Sequence, residues 1–168
     1  MKVLATMIAM LAFLEIATAN PDRNLTEMNS EWYFNNYDKV QQILISGTNE
    51  EAIPIINTLG LIWKNRDGGI WIEVAPAICN ALIYKTRLML LWFDDYPEEF
   101  SSWLKRMPMA MFTVWSDKDS DFAKLEKLRI KMIKHLKAYQ KSETNKALKN
   151  RCLTLIEVLE NTRTSRLE

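Results

Sequence analysis

Between Ile70 and Phe93 the chain is almost continuously apolar. A helix without a polar face cannot lie on a surface, so this run must form a central element covered on several sides. Pro76 falls inside it, and proline is tolerated in the first turn of a helix but disrupts the interior. The helix is therefore expected to begin near Glu73. Lys85-Thr86 marks a break, and a shorter helix is predicted from Arg87 to Asp94.

The flanking segments repeat their apolar residues at helical spacing. Ser30 can cap a first helix that carries Tyr33, Tyr37, Val40 and Leu44, and Gly47 is placed to end it. Thr48 and Glu51 form a T-x-x-E capping box that opens a second helix, which Pro54 should bend. Asp67-Gly68-Gly69 is a turn. Pro97 suits the first position of a helix reaching Met107, with Glu98 and Glu99 at its positive end and Pro108 closing it.

Met109 to Trp115 suits a strand or a buried helix equally. Without a second strong strand to pair with, it is read as helix or irregular. A long helix capped by Ser120 follows from Asp121 to about Gln140. Phe122, Leu125, Leu128, Met132, Leu136 and Tyr139 form its apolar stripe. Ser142 is expected to start a last helix with Leu148, Cys152, Leu155, Ile156 and Leu159 inward. The expected class is all-α: antiparallel helical hairpins in one domain over 29–161, with a tail at 162–168 that frays.

Ahead of that domain, Met1-Lys2 gives a short positive start, Val3 to Leu14 is apolar, and Ala17-Thr18-Ala19 offers a small-x-small cleavage pattern. This run is shorter than the ~20 apolar residues of a bilayer-spanning helix. Residues 1–19 read as a cleaved secretory signal and 20–28 as a loose polar leader. An uncleaved membrane anchor is the alternative. Asn24-Leu25-Thr26 is a glycosylation sequon, a triplet that also arises often by chance.

Export bears on the cysteines. Cys79 and Cys152 are the only two, which permits one disulfide. Both sit among apolar neighbours, where free thiols pack equally well. Charge is asymmetric: from Asn20 to Asp117 there are 8 basic and 13 acidic side chains, a balance of −5. From Lys118 to Glu168 there are 13 basic and 7 acidic, a balance of +6. Neither value approaches the strongly basic profile of a nucleic-acid binder, so no nucleic-acid partner is expected.

Glu51-Ala52-Ile53-Pro54 and Leu59, followed by a turn and then by Ala75, Ala77, Ala81 and Leu82, resemble a HEAT-type helical hairpin over about residues 49–84. The resemblance implies either a short α-solenoid or a bundle built of similar hairpins. It also implies an exposed surface for a partner.

Chemistry is sparsely signalled. Asp94, Asp95, Glu98 and Glu99 cluster among aromatic residues and could supply an acid pair acting on a cell-envelope polymer. Helix-end carboxylates give the same pattern. Asp117, Asp119 and Asp121 open like a calcium loop, but the glycine and glutamate that an EF-hand needs are replaced by Phe122 and Leu128. His135 is the only histidine, which excludes a two-histidine metal site within one chain. G-x-S-x-G, G-x-G-x-x-G and P-loop patterns are absent, and no cofactor is expected.

The remaining candidates are for binding: Trp92, Trp103 and Trp115 as aromatic anchors, and Lys124, Lys127, Lys131 and Lys134 as a cationic row. The expectation is an exported, periplasmic or secreted, non-catalytic protein. It would bind a protein of the cell envelope as an adaptor, inhibitor or immunity-type protein. A membrane enters only if the first segment is retained.

Overall fold

A computed structural model of the chain describes residues 29–166 apart from Asp67 and Asp117; the expected signal and leader lie outside the described residues. Helical residues 29–35 and a turn at Asn36 lead into α1 (Tyr37–Ser46), then α2 (Asn49–Lys64), α3 (Ile70–Tyr84) and α4 (Thr86–Asp95). After these come α5 (Pro97–Phe112), strand β1 (Thr113–Val114), α6 (Asp119–Ser142), α7 (Lys146–Asn161) and strand β2 (Ser165–Arg166). The class is all-α, as the apolar spacing predicts.

The apolar run becomes α3 and α4, which meet at Lys85 at an angle of 116°. α3 packs against α1, α2, α4, α5 and α6, and α7 bridges α4, α5 and α6. The contacts therefore radiate from one helix. Val74, Ala75, Ala77, Ile78, Cys79, Ala81 and Leu82 are buried around it, and one cluster joins Tyr33 to Leu159. Among the described residues no single helix is long and apolar enough to cross a membrane; the bent pair α3–α4 has the composition of a span, but its apolar residues form this core.

Local signals hold where they are self-contained. Thr48 and Glu51 form both bonds of the capping box, and the Gly47 N–H donates to Ile43 O to finish α1. Gly68 takes a positive φ of 46° in the turn before α3, a region that costs glycine little.

α6 starts at Asp119 after Lys118, so Ser120 lies inside it and does not cap it, and four further expectations are corrected. α3 starts at Ile70, so Pro76 lies in its middle. The proline costs about 3 kcal/mol, but each large apolar side chain that the continuous helix buries returns about 1.5–3 kcal/mol. α5 likewise runs through Pro108 to Phe112, burying Met107, Met111 and Phe112. The last helix is capped by Asn145, whose Oδ1 accepts from the N–H groups of Ala147 and Leu148, and not by Ser142.

The fourth concerns the tail. β1 pairs in parallel with β2, Thr113 opposite Ser165 and Val114 opposite Arg166. Thr162 and Thr164 are buried, and the Thr164 hydroxyl donates to Glu126 Oε2 at 2.9 Å. The segment expected to fray is docked through residue 166.

Candidate functional site

A groove of about 400 Å³ lies beside Trp115, between α3, α5, β1 and α6. Pro76 of α3, Ala110 and Met111 of α5, Val114 of β1 and Leu125 of α6 give it an apolar lining. Trp115 follows β1 directly and is 59% exposed, more than any other large apolar side chain described. The paired strands fix the backbone from which it projects.

The polar rim is the first turn of α6. Ser116 Oγ donates to Asp121 Oδ2 at 2.6 Å, and Lys124 Nζ lies 3.3 Å from Asp121 Oδ1. The Ser116 hydroxyl, and then Lys124, hold the Asp121 carboxyl below the ordinary carboxylate range. Lys124 lines the groove with its side chain 75% exposed. Lys127, Lys131 and Lys134 follow it at steps of three, four and three residues, which places them along one helix face. Lys131 is steadied by Tyr84, to whose hydroxyl it donates and whose ring centre lies 4.6 Å from its Nζ. Lys127 and Lys134 are exposed and have no carboxylate partner among the described residues.

Of the expected anchors, only Trp115 is available. Trp103 is fully buried, its ring edge-on to Trp63 at 5.0 Å and 6.3 Å from Phe93. Trp92 is buried between α2 and α4, 4.7 Å from the Tyr96 ring. Both are core residues because α4 and α5 turn their aromatic stripe inward. Its spacing in the sequence (Trp92, Tyr96, Phe100, Trp103) is the signal that separates them from Trp115.

The acidic cluster is divided between two arginines. Asp94 pairs with Arg151 of α7 at 2.8 Å, whereas Glu99 pairs with Arg66 at 2.6 Å. Asp95, Glu98 and Glu99 all line a hollow of about 280 Å³ with Lys64 and Tyr96. Asp94 is thus drawn to α7, whereas Asp95, Glu98 and Glu99 border one hollow, with Glu99 tied to Arg66.

Other candidates are placed as follows. Asp119 pairs with Arg166, and no group of three or more potential metal ligands occurs among the described residues. Asp117 of the expected calcium-like run lies outside them. His135 is exposed on α6, its ring 6.2 Å from that of Tyr84. The disulfide that the cysteine count permitted is not formed. Cys79 and Cys152 are separate buried thiols, and the Cys152 Sγ donates to Leu136 O at 3.3 Å. Burial pushes the Cys79 thiol well above its ordinary range; burial, and then the Glu143 charge, raise that of Cys152 to about 11.

One buried charge escaped the sequence reading. Glu143, in the turn between α6 and α7, accepts from the Tyr139 hydroxyl, from the Asn145 N–H at 2.8 Å and from Arg87 at 2.6 Å. These three donors, Tyr139 foremost, lower its carboxyl to about 2. Nothing in the local sequence distinguishes it from an ordinary loop glutamate. No family model matches the chain, and no curated protein and no solved structure matches it either.

Proposed function

We propose that this chain is an exported, non-catalytic helical protein that works by binding another macromolecule of the cell envelope, as an adaptor, inhibitor or immunity-type protein. The observation that carries this reading is Trp115, held half in water at the mouth of an apolar groove. Tryptophan combines a large rigid apolar surface with one N–H donor, which suits it to anchor an interface. At about 400 Å³ the groove falls within the usual range of binding clefts.

Export rests on the positive start, apolar run and Ala17-Thr18-Ala19 pattern of the first segment. The HEAT-like hairpin of residues 49–84 supports an interaction role in the same general way. Sequencing the N-terminus of the exported product tests the leader: a start near Asn20 is expected, and retention of Met1 rejects cleavage. A photo-crosslinking residue at position 115, compared with one at exposed Ser101 on α5, tests the interface in intact envelopes. A discrete adduct from position 115 alone is expected. Identical patterns from both positions, or no adduct from either, reject the reading.

A further inference from the structure

Resting on that binding function, we infer that the occupant of the Trp115 groove is an acidic, amphipathic helix of a partner protein. It would seat one large apolar side chain in the groove and lay a row of carboxylates along Lys124, Lys127, Lys131 and Lys134.

The groove and the lysine row are continuous, because Lys124 belongs to both. From Lys124 the row climbs α6 for about 15 Å, or roughly three helical turns. Lys124 is paired with Asp121 at 3.3 Å, but Lys127, Lys131 and Lys134 have no carboxylate partner among the described residues. Glu126, the acidic residue nearest in sequence, is turned to Arg129 and Thr164. Glu160 reaches Lys137, beyond Lys134, and neutralises α6 there. The stretch between Asp121 and Lys137 thus presents positive charge with one apolar recess at its lower end. Matching carboxylates at three- and four-residue steps is what a second helix supplies, and its apolar residue one turn away falls over the recess.

The concavity selects protein over lipid. A membrane surface is filled by apolar side chains that protrude into it, whereas this site needs a side chain to enter it. Met111 and Val114 are buried in its wall, and Trp115 is the one large apolar side chain of the lining that projects.

The test uses the mature chain and a fluorescein-labelled helical peptide of about three to four turns, carrying one leucine anchor and glutamates at alternating three- and four-residue steps. Saturable binding that weakens as salt rises is expected. Trp115→Ala should weaken it about thirtyfold, and Lys127→Glu with Lys134→Glu at least about tenfold. Lys105→Glu makes the same kind of charge reversal on α5, away from the row, and should change affinity by less than about twofold. Circular dichroism of each variant guards against unfolding. The inference is overturned if the peptide does not bind, if its Glu→Lys counterpart binds as well, or if the lysine reversals have no effect. It is also overturned if phosphatidylglycerol vesicles compete through the same lysines while the peptide does not. A position-115 adduct in envelopes together with a silent peptide rejects the acidic helix but keeps the binding function. Failure of both rejects both.

Discussion

Gly60 of α2 lies directly against the indole of Trp92 on α4. A Cβ added to Gly60 would sit 2.1 Å from Trp92 Cε2. Van der Waals contact forbids that separation, so any side chain at position 60 must drive the two helices apart or expel the ring.

Gly60→Ala is therefore expected to destabilise the fold despite the better helix propensity of alanine. Overpacking costs about 1–3 kcal/mol, against a propensity gain of up to about 1 kcal/mol. Urea denaturation should show a lower midpoint, and tryptophan emission should change. An unchanged midpoint would mean that α2 and α4 pack more loosely than this contact implies.

The buried thiols give a second expectation. A thiolate is the reactive form, and burial disfavours it at both Cys79 and Cys152. Ellman's reagent should find almost no reactive thiol in the native protein at neutral pH, and two once it is unfolded without reductant. Finding none after unfolding would show that the pair is oxidised.

Glu143 ties stability to acid. Its folded carboxyl lies at about 2, below the ordinary value of 4.5, so its contribution is complete above that value. It should fade as pH falls between them, when the proton displaces the bonds from Tyr139, Asn145 and Arg87. Glu143→Gln should lower the melting temperature at neutral pH and flatten this acid limb. A variant that keeps the wild-type slope between pH 4.5 and pH 2 would assign the limb to other carboxylates.

The docked tail makes a fourth case. Deleting residues from Thr162 onward removes β2 and the Thr164 bond to Glu126. Hydrogen exchange at Thr113 and Val114 should accelerate while that of α3 stays slow. Equal protection in the two forms would show that β1 needs no partner strand.

Features set by a few adjacent residues were legible in the sequence. The Thr48–Glu51 capping box, the Gly47 stop, the break at Lys85 and the Pro97 start depend on neighbours within one turn. The prolines inside α3 and α5 do not end these helices, because the burial that offsets their local penalty comes from residues distant in sequence. β1 was illegible because it is two residues long and its partner lies at the far end of the chain. At the candidate site, Trp115 and the lysines stood out by residue type. Their junction through Lys124 depends on α5, β1 and α6 converging, as do the arginine partners of Asp94 and Glu99.

The parallel pairing of Thr113 with Ser165 also has a temporal side. A ribosome releases the chain from the N-terminus, so the core helix α3 and its early neighbours can collapse while the second strand is still unmade. The pairing of β1 with β2 closes last, after synthesis has passed residue 166, and an unfinished polypeptide would lack it.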